Sequence, residues 1–95
     1  MTTLPGGAPA PYLYRFHVTA DLCPQAMLRI LGLIAQNSLI PRRIVCERLE
    51  DRLYAEIAVA GLSPERAEIL LAKIATIVTV RDAKLMPPAE ARILR

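Results

Sequence analysis

The sequence predicts an α+β domain with a ferredoxin-like βαββαβ sandwich, in which a four-stranded antiparallel sheet carries two helices on one face. Segments with the two-residue apolar repeat of strands alternate with segments that have a helical repeat, in the order strand, helix, strand, strand, helix, strand. The chain has 95 residues, which is enough for one domain of two packed layers. Right-handed crossovers then fold the two similar halves into this sandwich.

The first half begins with a strand over residues 14–21, where apolar side chains alternate with polar ones. The helix after it has apolar residues at the spacing i, i+3, i+4 and i+7, namely Met27, Ile30, Leu31 and Ile34. Pro24 suits the start of that helix, and the pair Asn37-Ser38 suits its end.

A hairpin is predicted next, with Ile44 and Cys46 on the second strand and the pair Glu50-Asp51 as its tight connection. That connection places residue 46 opposite Ala55 and residue 44 opposite Ile57. The four residues then share one apolar face, so Cys46 is predicted to lie in the core. The opposite face is open and polar, with His17, Thr19, Arg43, Val45, Glu47, Tyr54 and Glu56.

The second helix has a clear start signal, because Ser63 is a natural N-cap and Pro64 fits the first helical position. Its apolar stripe consists of Ala67, Leu70, Leu71 and Ile74. The run over residues 77–85 is predicted to be the last strand. We expect a flexible Pro/Gly-rich arm over residues 1–12, the domain over 13–86, and a tail over 87–95 that is able to form a short helix.

Composition excludes several classes of protein and partner. The net charge of +3 is small and spread out, which argues against a nucleic-acid partner. The apolar runs are shorter than a membrane span, and the first residues do not resemble a secretory signal. With only two cysteines, the chain is predicted to be cytoplasmic. Its apolar content of 54% leaves apolar surface to cover, which predicts a homo-oligomer, most simply a dimer, or a partner subunit.

The residues do not form a recognisable catalytic or metal-binding pattern, so the sequence predicts no catalytic residue, no metal site and no cofactor. His17 is the only histidine and lies in the middle of a strand. Cys23 precedes a helix, where the dipole favours a thiolate, and a thiol or soft-metal role for it is one alternative. Ala26 stands where a Cys-x-x-Cys pair would have its second cysteine, which argues against a two-thiolate site.

Residues 18–35 resemble an ACT domain, and more closely the small regulatory subunit of acetohydroxyacid (acetolactate) synthase. That family has a strand, a turn often ending in Pro-Gly, and a hydrophobic helix with an arginine followed by apolar residues. The matching residues here are Pro24, Met27, Arg29, Ile30 and Leu31. Similarity continues at Ala60-Gly61 and along residues 73–80, so the resemblance covers about residues 14–85.

The resemblance implies a non-catalytic regulatory subunit in branched-chain amino-acid biosynthesis, bound to the catalytic large subunit of a thiamine-diphosphate synthase. Leu33, which lies beside Arg29, and Ile69 point away from the apolar stripes of the two helices. Arg29, Leu33 and Ile69 are therefore the candidates for docking a catalytic subunit or a second copy of the chain. A free-standing amino-acid sensor of the same fold is the alternative.

The resemblance also implies an amino-acid effector at the loop between the first strand and the first helix. A helix N-terminus there attracts a carboxylate. The candidate ligand-binding residues are Asp21, Leu22, Cys23, Pro24, Gln25 and Ala26. Three departures from the family pattern favour loss of the effector with retention of the fold: Gln25 and Ser38 replace glycines, and Leu22 replaces an asparagine.

Overall fold

A computed structural model describes residues 12–86 and 89–90. Two helices and four main strands follow the predicted order, with a short fifth strand after them. The elements are β1 (Tyr12–Asp21), α1 (Ala26–Gln36), β2 (Arg43–Leu49), β3 (Arg52–Ala60), α2 (Pro64–Ala75), β4 (Val80–Leu85) and β5 (Ala89–Glu90). The main strands are antiparallel in the order β2-β3-β1-β4, which confirms the predicted βαββαβ sandwich.

The two ends of the chain differ from expectation where they are described. The predicted arm over residues 1–12 lies outside the described residues, apart from Tyr12, which begins β1. Within the predicted tail, Ala89 and Glu90 form β5 and pair with Leu13 and Tyr12 of β1. That part of the tail therefore pairs with the start of β1, on the side where β4 pairs with the rest of β1, instead of forming a helix.

The hairpin has the register expected from its two-residue connection. Ile44 pairs with Ile57 and Cys46 with Ala55, as predicted. Glu50 in the connection adopts a left-handed conformation with φ of 56°. A two-residue hairpin turn commonly needs such a backbone, because it must match the twist of the strands.

The core lies between the sheet and the helices. Its fully buried side chains lie on the helix-facing side of β1 and β3 and on one face of each helix, as at Phe16, Ile57, Ile30 and Ile74. Leu13 and Ala58 form a second, small buried cluster on the other face of the sheet. Every buried side chain of the described residues is apolar. Hydrophobic burial is therefore the dominant stabilising term of this fold.

Local signals explain where the helices begin and end. The Ser63 hydroxyl accepts a hydrogen bond from the backbone N–H of Arg66 at 3.2 Å, and Pro64 occupies the first position of α2 as predicted. At the end of α1, the N–H groups of Ser38 and Leu39 donate to the carbonyls of Ala35 and Ile34. This is a Schellman motif, with Ser38 in the left-handed region at φ of 60°.

Two sequence predictions about the strands were wrong. The last strand begins at Val80, because Ile77 and Val80 donate turn-type bonds to the carbonyls of Ile74 and Ile77. Cys46 is exposed, not buried, although it faces the helix side of the sheet. The cover given by the helices explains this second error: Val80, Ala83 and Leu85 of β4 pack against the core, whereas every residue of β2 is exposed, so the helical layer leaves β2 uncovered.

Within the described residues, we find no helix that is both long and apolar enough to cross a membrane.

Candidate functional site

The strongest candidate site lies where the loop between β1 and α1 meets the closed end of the β2–β3 hairpin. A depression of about 310 Å³ opens there. We call it the loop–hairpin depression, and its lining residues are Leu22, Cys23, Pro24, Arg48 and Leu53. Arg48 and Leu53 face each other in the hairpin, so both project on the helix side, next to the loop. The depression is thus apolar with a single cationic group.

The N-terminus of α1 adds positive potential beside this depression. Within the described chain, Gln25 occupies the cap position without a capping side-chain hydrogen bond, and the first turn contains no acidic residue. The N–H of Ala26 donates to the carbonyl of Cys23 at 3.0 Å, which closes the loop tightly onto the helix. The positive end of the helix dipole is therefore not offset by a local carboxylate, and together with Arg48 it favours an anion.

Asp21, one of the candidate ligand-binding residues, already forms ion pairs with two arginines of this chain. Its Oδ1 accepts a 2.7 Å hydrogen bond from Nε of Arg81, and Nη1 of Arg52 lies 3.6 Å away. The hydrogen bond and the charge of Asp21 both raise the pKa of Arg81 above its ordinary value. Since Arg81 belongs to β4 and Arg52 to β3, Asp21 ties the end of β1 to both neighbouring strands.

The six candidate ligand residues therefore separate into groups. Leu22, Cys23 and Pro24 line the depression, and Gln25 is exposed at the cap of α1. The side chain of Ala26 is fully buried, so it has no surface to offer a ligand. The sequence reasoning missed Arg48 and Leu53, although the hairpin register already paired residue 48 with residue 53.

The predicted docking residues lie on a different surface. Arg29 and Leu33 line a depression of about 390 Å³ between α1 and the α2–β4 connection. Leu33 is only half-exposed and packs against the core, so the prediction that it points away was wrong. The larger exposed apolar side chains of the helices are Leu28 on α1 and Ile69 on α2.

Away from the buried Leu13 and Ala58, the open face of the sheet is mostly polar, as predicted, and forms a third shallow depression of about 330 Å³. His17 lies between Glu56 of β3 and Lys84 of β4, its partners in register. Glu56 is also 3.4 Å from Arg15. These charges are balanced and at least half-exposed, and the described residues hold no cluster of three or more potential metal ligands. Ordinary pairing of side chains across neighbouring strands on a solvated sheet face therefore explains why these charged groups lie together.

Comparison with known proteins identifies similar domains. The family model of an ACT-like domain matches residues 8–91. The ACT domain of GTP pyrophosphokinase from Chlorobium tepidum superposes with a TM-score of 0.72 at 13% identity, covering 81% of this chain and 100% of that one. The C-terminal domain of the MgtC protein from Mycobacterium tuberculosis gives 0.65 at 17% identity, with coverages of 93% and 95%.

A third similar structure is the regulatory subunit of aspartate kinase from Thermus thermophilus, with a TM-score of 0.64 and 15% identity. The superposition covers 84% of this chain and 55% of that subunit. A search of curated proteins gives no match. At such low identity the solved structures establish the shared fold alone.

Proposed function

The chain belongs to the ACT-like domain family, and on that premise we propose that it is a non-catalytic regulatory module of the cytoplasm that binds a small molecule in the loop–hairpin depression. ACT domains are regulatory modules, which makes ligand-dependent control of a partner the natural role for this one. The observation that carries the proposal is the position of Arg48 beside the loop and the start of α1.

The chemistry of the depression indicates the class of ligand. Leu22, Pro24 and Leu53 offer apolar walls, while Arg48 and the helix N-terminus offer donors to a carboxylate. The volume of about 310 Å³ is at the lower end of the range for small-molecule sites. A small amino acid with an apolar side chain combines these features. Arg48 also supplies a charge that offsets the missing family glycine and asparagine at positions 25 and 22.

Titration calorimetry with the twenty common amino acids tests this proposal. We expect a small apolar amino acid to bind, and Arg48→Met to abolish that binding because the carboxylate loses its cationic partner. Arg29→Met is the matched control, since Arg29 lines a different depression and its loss should leave the affinity unchanged. The proposal would be overturned if none of the twenty amino acids gave a binding signal, or if the Arg48→Met variant bound the amino acid as tightly as the wild type.

More specifically, we propose that this regulatory module is the small regulatory subunit of acetolactate synthase in branched-chain amino-acid biosynthesis. The resemblance of residues 18–35 supports it, as do the exposed positions Arg29 and Ile69 on the helical layer. Regulation then requires that the module bind two states of the catalytic subunit with different affinity. We expect the chain to co-purify with the large subunit and to change the catalytic rate of that subunit. Failure to bind the large subunit at micromolar concentration would leave a free-standing amino-acid sensor as the remaining function.

A thiol or soft-metal role for Cys23 has the least support. Cys23 is half-buried and Cys46 is exposed, and both are free thiols in the described part of the chain. Substitution of Cys23 by serine is expected to leave the affinity for soft metals unchanged. A measurable loss would favour the metal role instead.

A further inference from the structure

Leu13 and Ala58 are buried on the face of the sheet that carries no helix. Their exposed fractions are only 1% and 3%, and the strand register places both side chains opposite the helical layer. The next residues on the same face of β1, namely Arg15, His17 and Thr19, are all half-buried. Side chains on an uncovered sheet face keep contact with water. The deep burial of Leu13 therefore requires a group that lies over it.

The neighbours of Leu13 in the sheet supply little of that cover. Leu13 faces Ala60 in register, and Ala60 is the partly buried apolar residue that packs against the buried pair. Its methyl group lies beside the leucine and is too small to shield it from above. Arg15 extends toward Glu56, its ion-pair partner at 3.4 Å, which lies farther along β3. The missing cover must come from above the sheet.

We propose that the segment before β1, residues 1–11, folds back over the open face and covers Leu13, Ala58 and Ala60. We call these three residues the Leu13 patch. This inference goes beyond the proposed function, because it needs neither a ligand nor a catalytic subunit. Three properties of the segment support it: the place where it joins the sheet, its length with a central glycine pair, and its lack of charge.

The segment joins the sheet immediately beside the patch. Tyr12, the first residue of β1, links it directly to Leu13. Within the sheet, the places beside Leu13 are already taken by Ala60 of β3 and Ala89 of β5. Only the face of the sheet is therefore available to the segment for contact with Leu13. Its three prolines suit this position, because a segment that crosses a face donates no ladder hydrogen bonds.

The segment is long enough to leave the sheet, reverse and return across the patch. Eleven residues extend to about 34 Å at about 3.1 Å per residue. Leu13 and Ala58 are diagonal neighbours on adjacent strands, a separation of about 7–8 Å. The pair Gly6-Gly7 suits the reversal, because glycine adopts the left-handed conformations that tight turns need. A reversal there returns the apolar residues Met1 and Leu4 toward the start of β1.

Charge favours this segment over the other end of the chain. Residues 1–11 contain no charged side chain, whereas residues 91–95 contain two arginines. The patch is already bordered by cations, because Arg15 follows it on β1 and Arg43 faces it from β2. An uncharged segment covers such a patch without like-charge repulsion and without the cost of burying a charge.

Deletion of residues 2–10 tests the cover by thermal unfolding of the otherwise intact chain. The deletion should lower Tm by about 5 °C, because the apolar groups of the patch become exposed to water. Deletion of residues 91–95 is the matched control and should leave Tm nearly unchanged. A chain that lacks residues 2–10 but melts like the wild type would overturn the proposal.

Substitution of Leu13 tests the contact itself. In the full chain, Leu13→Ala should lower Tm by at least about 8 °C, as expected for a buried leucine. In the chain without residues 2–10 it should lower Tm by less than about half as much, because Leu13 is then already exposed. Ile57→Ala, on the helix-facing side, should have the same effect in both chains. Equal effects of Leu13→Ala in the two chains would exclude the contact.

A spin label gives a further test that does not depend on stability. A nitroxide on Thr3→Cys, with both native cysteines replaced by serine, should broaden the amide NMR signals of Leu13 and Ala58. The amide of Ala26, which follows the far end of β1, should be unaffected. Dilution with unlabelled chain should leave the broadening unchanged, because the contact lies within one chain.

The other possible covers give different results. Broadening that falls on dilution with unlabelled chain would assign the cover to a second copy. A lower Tm on deletion of residues 91–95, with no effect of deleting residues 2–10, would assign it to the end of the chain. Absence of broadening at both Leu13 and Ala58 would remove residues 1–11 from the patch. Each of these results overturns the proposal.

Discussion

Ile44 of β2 and Ile57 of β3 face each other across the hairpin, yet Ile57 is fully buried whereas Ile44 is 44% exposed. The two side chains project from the same face of the sheet. Only Ile57 is covered, because the helical layer packs on β3, β1 and β4 and leaves β2 uncovered. The difference makes the hairpin asymmetric: β3 belongs to the core and β2 presents a surface.

This asymmetry predicts unequal effects of the same substitution. Ile57→Ala should lower the free energy of unfolding by about 2–5 kcal/mol, because it removes buried methyl groups and leaves a cavity. Ile44→Ala should lower it by less than about 1 kcal/mol, as is usual for exposed positions. Urea unfolding of the dilute protein checks both values. Similar losses for the two variants would mean that β2 is covered in solution.

Replacement of Ser38 by glycine is expected to stabilise the protein. Ser38 has φ of 60° at the end of α1, a conformation that glycine adopts without the steric cost of a Cβ atom. The gain should be about 1 kcal/mol in the free energy of unfolding. Ser38→Ala is the control and should give no gain, since alanine keeps the Cβ. A lower Tm for the glycine variant would contradict this account of the helix end.

Loss of the N-cap of α2 should have the opposite effect. Ser63→Ala removes the acceptor for the N–H of Arg66 and should destabilise the protein by about 1 kcal/mol. Ser63→Asp keeps an acceptor at the helix N-terminus and should retain most of the stability. Thermal unfolding distinguishes the two variants, and equal melting temperatures for alanine and aspartate would exclude a capping role.

Asp21 is expected to stabilise the strand ends and not to contact the ligand. Asp21→Asn weakens the links to Arg81 and Arg52, both partly exposed, so Tm should fall by only a few degrees. Binding of a carboxylate ligand should persist, because the substitution removes a negative charge near the site. Calorimetry on this variant checks the role. If the folded Asp21→Asn variant lost ligand binding, Asp21 would instead be part of the ligand-binding site.

The sequence alone predicted the relationships that depend on local periodicity. The pairing of Cys46 with Ala55 followed from a two-residue connection, and the start of α2 followed from Ser63 and Pro64. The last strand was predicted too early because the apolar run at 77–80 satisfies a strand pattern as well as a turn. Val78 is in fact almost fully exposed.

The sequence by itself determined the two helices and the four main strands, how the hairpin strands align and which face of the hairpin strands is apolar, because side-chain alternation and helix-end chemistry act over a few residues. The tertiary structure decided which apolar faces are covered. The lateral position of the helical layer left Cys46 exposed and drew Leu33 toward the core. The same packing placed Arg48, distant in sequence from Cys23, beside the loop at the start of α1. Such outcomes depend on how whole elements pack against one another, and no local pattern contains them.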